Sequence, residues 1–509
     1  MIHHSPYPAI SIPAQSITEA VFAGLVPDGP ALIDGLTGRV MTGAALINQT
    51  QRFAGGLAER GLGKGDVVAL MSGNSPEFAV IFHGSAWAGC TLTTANPSYT
   101  AGELRHQLND SGAVILFVPP ALADIAREAV TGTGVTDVIM ADEAGLAAFS
   151  GPAVAVQVPV DLKNDIVVLP YSSGTTGLPK GVMLSHHNLV ANLVQGGTLL
   201  SLPPGSTTLA ILPFFHIYGM MVLMNTYLWA GGTLVTLPRF DLETSLRLIA
   251  EHRMEKLMVV PPLVLALAKH PMVDQYDLSS VRLIMSAAAP LGIALADACA
   301  TRLGCEVMQG YGMTEASPIT HLTPPGQSRL GAVGQTAPLT QSRVVDAETL
   351  TDMPVGEAGE VWVRGPQVML GYLNNPEATA RTVTPDGWLR TGDLGEIDAD
   401  GYLWILDRVK ELIKVKGFQV APAELEAILL GHPDIGDCAV IGQADDEAGE
   451  RPIAFVVRRG ASTITDEAVM AHLAGQVATY KRLAAVRFTD TIPKTASGKI
   501  LRRHLRGLL

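Results

Sequence analysis

At 509 residues the chain is longer than one hydrophobic core organises, so two or more domains are expected. Hydrophobic residues make up 48% and charged residues 16%, which excludes a disordered chain. A net charge of −13, with no basic run before the last few residues, excludes the broad positive surface that nucleic acid requires.

The opening stretch MIHHSPYPAISIPAQS has no basic start followed by an apolar core, so it is not read as a secretory signal. Its His3-His4 pair is too short for a metal site. Cys90, Cys299, Cys305 and Cys438 form no C-x-x-C pair, which argues against a disulfide framework or a zinc site and fits a reducing cytoplasm. Short β-branched runs then alternate with amphipathic stretches. DVVALMS precedes the helix-like PEFAVIFHGSAWAG, AVILFVP precedes ALADIAREAV, and KLMVVPP precedes LVLALAKH. This alternation predicts an α/β body with substantially parallel sheets. The best candidate for a membrane span, Ile217 to Ala230, is short and broken by Asn225 and Thr226, so a buried helix is predicted there.

Near residue 408 the pattern changes. A strand-like run at Leu403–Leu406 gives way to a charge-rich segment and a helix with Pro422 early in it. The rest reads strand (DCAVIGQ), strand (PIAFVVR), helix (DEAVMAHLAGQVATYK) and strand (AVRFTD), enough for a small α+β domain. Two domains, 1–407 and 408–509, are therefore expected. From Arg408 onward 15 Lys/Arg stand against 12 Asp/Glu, a basic piece on an acidic body, which suggests that the small domain handles an anion.

The stretch LPYSSGTTGLPKGVMLSHHNL, residues 169–189, crowds small hydroxyls and glycines after a β-like run. Glycines let backbone N–H groups converge on an anion. Ser172, Ser173, Thr175 and Thr176 add donors, and Lys180 adds a mobile charge. This composes a polyphosphate cradle. Gly174, Gly177 and Lys180 do not fit the Walker A spacing, and GVMLS reads as a further strand before Ser185 caps a helix. A polar surface hairpin is the plain alternative, but hairpins rarely need this combination. QGYGMTE, residues 309–315, ends on a glutamate that would repel a pyrophosphate unless a hard cation such as Mg²⁺ intervened. Asp393 in WLRTGDLG is, taken alone, a turn aspartate.

Taken together, YSSGTTGLPKG, QGYGMTE, WLRTGDLG, DRVKELIKVKGFQVAPAELE and PKTASGK resemble the adenylate-forming superfamily in order and spacing, over essentially the whole chain. PFFHIYG and KELIKVKGFQVAPAELE look most like 4-coumarate–CoA ligases and their bacterial relatives. The resemblance implies a large α/β AMP-binding domain and a mobile C-terminal domain with its hinge near Lys410. It implies ATP, Mg²⁺ and CoA as ligands. A small carboxylic acid becomes acyl-AMP with release of pyrophosphate, and CoA then displaces AMP. It implies a phosphate-binding loop over Ser172–Lys180, Thr314 on the α-phosphate, and Glu315 with Thr176 on the metal. Asp393 and Arg408 fall on the ribose, and Gln309, Gly310, Tyr311 and Ala288 line the adenylate, with Tyr311 as the stacking face for adenine. Lys499 bridges carboxylate and phosphate, and His216 lies beside the acyl carboxylate. Lys414 acts around the adenylate, and Arg239, Lys416 and Gly417 around CoA.

The acyl pocket implied by the resemblance contains Tyr218, Val222, Ala287, Ser317 and Ile319. Val222 stands where plant enzymes typically have serine. Ala287 and Ser317 replace glycines, and Ile293 replaces a lysine. Cinnamate, other aryl-acrylates and a medium- or long-chain fatty acid stay open as substrates. So do a carrier-protein phosphopantetheine as thiol acceptor and a monomeric or dimeric state. A luciferase-type oxygenase is less favoured, and the terminal RGLL is not a peroxisomal address. A catalytically dead regulator would have lost Lys499, Glu315 or Asp393; all three are present.

Overall fold

The computed structural model describes residues 1–172, 179–416, 418–445, 448–495 and 498–508. Its central seven-stranded sheet runs in the order Gly371–Tyr372, Lys180–Ser185, Ile166–Ser172, Thr91–Ala95, Val67–Met71, Ala113–Val118, Asp137–Met140. From Ile166–Ser172 outward the strands are parallel; Lys180–Ser185 and Gly371–Tyr372 are added antiparallel. The helix Pro76–Trp87 is buried on every side, which explains why PEFAVIFHGSAW carries no polar stripe. Two further parallel groups follow: Thr207–Ala210, Thr233–Thr236 and Pro30–Asp34, then Lys256–Val259, Leu283–Ser286 and Glu306–Gln309. The predicted α/β body with parallel sheets is present.

An antiparallel sheet was not expected. It joins His3–His4, Gln341–Val345, Gly359–Arg364, Leu389–Ile397 and Leu403–Arg408. The register sets Asp393 directly opposite Arg408. Across this sheet Arg364, Trp388, Arg343, Trp362 and Arg390 stack alternately, each guanidinium 4.6–4.7 Å from a ring centroid. The buried segment Ile217–Ala230 is helical as predicted, but Tyr218–Asn225 forms a π-helix. Side chains hold its wide turns, with Asn225 Nδ2 donating to Met220 O and Thr226 Oγ1 to Met221 O, both at 2.8 Å.

The C-terminal body has its own core around Ile413, Val420, Leu425, Val440 and Val456. Its strands Ile413–Val415, Phe418–Val420, Ile435–Asp445, Gly449–Arg458 and Ala485–Phe488 form one sheet. The helix expected over DEAVMAHLAGQVATYK stops at Ala474, before Gly475, and a 3₁₀ turn covers Thr479–Lys481.

At the junction, Val409 N still donates to Gly392 O in the large body, two residues past the expected limit at 407. Glu411 pairs with Arg506 of the small body at 2.8 Å. Only Lys410 stands between these attachments. Hydrogen bonds cross between the bodies: Asp407 Oδ2 accepts from Ala423 N at 2.9 Å, and Lys269 Nζ donates to Leu430 O at 3.4 Å. The helix Pro422–Leu430 has no cap from its own Ala421, so the Asp407 carboxylate caps it from the other body. Burial raises the Asp407 pKa to about 6 despite that hydrogen bond. Among the described residues no helix is long and apolar enough to cross a membrane.

Candidate active site

The strands Ile166–Ser172 and Lys180–Ser185 are a hairpin, so the hydroxyl-rich loop leaves Ser172 and returns at its register partner Lys180. Ser185 caps the following helix in a reciprocal box with Asn188. A polar hairpin is therefore present, and it ends at a cavity of about 680 Å³. Ser172 and Lys180 line that cavity; Ser173, Gly174, Thr175, Thr176 and Gly177 lie outside the described residues.

Facing the hairpin is the short turn Thr314–Ala316. Thr314 and Glu315 both line the cavity. The buried Glu315 carboxylate accepts through Oε1 from Ser172 Oγ at 3.0 Å and from Tyr372 OH at 2.8 Å. Lys180 Nζ lies 4.7 Å from the centroid of the same Tyr372 ring. Tyr372 thus links the lysine to the glutamate, a residue that sequence reasoning missed. Its strand is two residues long and carries no motif.

Gly310, Tyr311, Ala287 and Ala288 form the next wall. Tyr311 OH donates to Asp393 Oδ2 at 2.6 Å, and Arg408 Nε pairs with Asp393 Oδ1 at 3.1 Å. Burial, then the Asp393 charge, raises the Tyr311 phenol pKa well above its ordinary value. Both Asp393 oxygens are engaged, and the carboxylate is not itself on the cavity lining, whereas Arg408 and Lys410 are. Gln309 is turned away: its Oε1 accepts from Leu291 N at 3.1 Å and steadies the loop beside Ala288. Glu360, Arg390 and His321 also line the cavity and were not foreseen.

At the inner end the walls are His216, Tyr218, Val222, Met285, Ile319 and Leu322. Burial, then the charge of Lys499, lowers the His216 pKa to about 4, so the imidazole is neutral. Its Nδ1 accepts from Tyr218 N at 3.3 Å, which assigns the proton to Nε2. Tyr218 OH donates toward Val259 O or Met285 O, at 3.3 and 3.4 Å, leaving its oxygen as an acceptor.

Lys499 reaches this cavity from the C-terminal body, where it feels Arg408, Asp393, Glu315 and His216. Burial first, then Arg408, lowers its pKa to about 8.

Several expected positions lie elsewhere. Ser317 is buried at φ +67°, with Oγ donating to Gln367 O at 2.9 Å. The 3₁₀ turn before it swings its side chain away from the acyl end. Ile293 is exposed. Arg239, Lys414 and Lys416 are exposed and off the lining, and Gly417 lies outside the described residues.

Residues 21–373 match the AMP-binding enzyme family, and 424–499 its C-terminal domain. The chain belongs to the AMP-binding enzymes. Within that family it is a 4-coumarate–CoA ligase-like protein, an ATP-dependent, AMP-forming acid–CoA ligase. It is 43% identical to 4-coumarate–CoA ligase 5 of Oryza sativa subsp. japonica over 525 residues, covering 100% of this chain and 97% of the relative. It is 41% identical to 4-coumarate–CoA ligase 4 of Arabidopsis thaliana, covering 100% and 94%. Among solved structures, ATP-bound MatB from Rhodopseudomonas palustris superimposes with a TM-score of 0.90 at 33% identity, over 97% of this chain and 98% of that one. Apo MatB, over the same shares, falls to 0.79. An anthranilate CoA ligase, AuaEII, in complex with anthranoyl-AMP gives 0.89 at 27% identity, over 97% of each chain.

Proposed function

We propose that the acid is an aryl-acrylate of the cinnamate type, and that the residues gathered at the cavity divide the reaction as follows. A carboxylate oxygen bonds to the α-phosphorus of ATP, and the breaking P–O bond carries its electron pair out with pyrophosphate. Carboxylate and phosphate are both anions, so a cation between them lowers the barrier. Lys499 is that cation. The observation that carries the reading is its entry from the small body to a point that senses both His216 and Asp393. Neutral His216 offers its Nε2 proton to the acyl oxygen. Tyr311 and the Asp393–Arg408 pair hold the adenosine, and Thr314 with the Ser172–Lys180 loop holds the phosphates.

Glu315 fits Mg²⁺: it lines the cavity, and both hydrogen bonds to its carboxylate, from Ser172 and Tyr372, fall on one oxygen. Such an ion usually needs only one or two carboxylates besides phosphates, and it would neutralise charge on them.

In the second step the small body turns about Lys410, withdrawing Lys499 and presenting the segment with Lys414, Lys416 and Gly417. The CoA sulfur then adds to the acyl carbon, gives up its proton, and the bond to AMP breaks. Exposed Arg239, Lys414 and Lys416 suit the anionic phosphates of CoA and favour it over a carrier-borne thiol.

The test is an ATP- and CoA-dependent assay of AMP release with cinnamate, 4-coumarate and caffeate. A phenolic hydroxyl buried without replacing its water contacts costs about 1–3 kcal/mol. Tyr218 accepts one hydrogen bond, and Val222 supplies none. Cinnamate should therefore equal or exceed 4-coumarate in kcat/KM, with caffeate below both. Val222→Ser should shift the ratio toward the hydroxylated acids by roughly tenfold at most, since one net hydrogen bond is worth about 1 kcal/mol. A wild type that strongly prefers caffeate, or takes only octanoate, overturns the assignment of the acid.

A further inference from the structure

The helix His186–Leu200 contributes no residue to the cavity wall, yet it grips one that does. Asn192 holds the Ile319 backbone at both ends: its Nδ2 donates to Ile319 O at 2.8 Å, and Ile319 N donates to its Oδ1 at 3.0 Å. One helical turn further on is Gly196. A Cβ built there would lie 2.7 Å from Ile319 Cδ1, closer than carbon atoms approach without contact being broken. Apart from its chain neighbours and the backbone of its own helix, no other atom lies within 4 Å of that position.

A mid-helix glycine costs about 1 kcal/mol relative to alanine, so its presence needs a reason in packing. Here the missing methyl group is the space into which the end of the Ile319 side chain fits. The Ile319 backbone cannot retreat, because Asn192 clamps it. Ile319 lines the cavity, so the acyl end is open space that a displaced Cδ1 can enter.

We propose that Gly196 is a specificity-determining position of this ligase, setting the depth of the acyl pocket through Ile319. The inference rests on the reading of that end of the cavity as the acyl site. It predicts that the helix, not the wall alone, selects the length of the acid.

The test compares 4-methoxycinnamate with cinnamate in the full CoA-ligation assay, on wild type and Gly196→Ala. About a methyl group of pocket volume discriminates between substrates by roughly 10–200-fold. Gly196→Ala should lower the kcat/KM ratio of the longer acid to the shorter by at least about tenfold, with KM for ATP unchanged. Ile319→Val, which lacks Cδ1, should restore the ratio when added to Gly196→Ala. The ratio of two acids on one enzyme preparation does not depend on its folded fraction, which separates pocket depth from loss of folding, and the rescue ties the shift to Cδ1. An unchanged ratio in Gly196→Ala, or a changed one that Ile319→Val leaves in place, overturns the inference. A wild type that turns over alkanoates and no cinnamate overturns instead the identity of the acid; octanoate against butyrate then replaces the pair, with the same expected shift.

Discussion

Lys499 is held where an ammonium group is least comfortable. Gly498 before it has φ +80°, and a Cβ there would sit 3.1 Å from Pro262 Cδ, so only glycine lets the chain enter at this angle. Burial and Arg408 together pull the lysine pKa down to about 8 against the opposing carboxylates. With a lowered pKa the ammonium is present below about pH 8 and is lost as pH rises through it. Adenylation, followed as ATP–pyrophosphate exchange, should therefore lose kcat/KM above pH 8, whereas an ordinary lysine would hold beyond pH 10. Lys499→Ala should abolish exchange yet leave thioester formation from supplied acyl-adenylate largely intact. Equal loss of both half-reactions would sink the assigned role. The residue was legible from its motif. Its depressed pKa was not, because that depends on burial and on Arg408 outweighing Asp393, Glu315 and Glu411, all of which only the fold brings together.

At the scale of elements, the alternating stack of Arg364, Trp388, Arg343, Trp362 and Arg390 ties three strands of the antiparallel sheet together and ends at Arg390 on the cavity wall. Trp362 is buried between two guanidinium groups. Trp362→Leu loses two cation–π contacts and leaves a void, a cost of about 2–4 kcal/mol. The melting transition of the large body should fall by several degrees, and Trp362→Phe should fall by less. Equal melting of wild type and Trp362→Leu would mean that the stack is decorative. Strand and helix periodicity exposed the parallel sheets, since their strands alternate with helices along the chain. The stack escaped notice because its members are scattered over three strands whose pairing depends on register. Ser317 and Gln309 were misplaced for a related reason. Both sit within a few residues of true lining positions, and local turns, not spacing, decide which way they face.

For the molecule as a whole, the two bodies meet at a junction that is narrow in sequence and wide in chemistry. The large body keeps hold of the chain through Val409 and the small one takes it at Glu411, which is the contact pattern behind the proposal that the bodies turn about Lys410. Charges cluster in the sequence after residue 407, and the small body's own core begins at Ile413. The pairing of Asp407 with the first turn of Pro422–Leu430 was not readable, since nothing in either segment marks them as partners.

On the proposed reading, in which the arrangement seen here is the adenylating one and the small body then turns about Lys410, that carboxylate makes the rotation a proton-coupled event. In the arrangement seen here burial raises the Asp407 pKa to about 6, so the neutral acid is favoured only while Ala423 and its helix cover it. Turning the small body away returns Asp407 to water and to an ordinary carboxylate near 3.8. The adenylating arrangement therefore binds the extra proton, and acid pulls the equilibrium toward it. Between pH 6 and pH 4 the bias amounts to about a hundredfold at most. Dyes placed on the two bodies should report, by energy transfer, a growing adenylating population as pH falls through 6, and Asp407→Asn should flatten that response. A profile that rises with pH instead would show that the covering helix stabilises the charged form. On that reading the same linkage predicts that the ligase releases protons as it passes from its first half-reaction to its second. Near pH 5 the thioester step should be the slower of the two, for a reason unconnected with the ionisation of the incoming thiol.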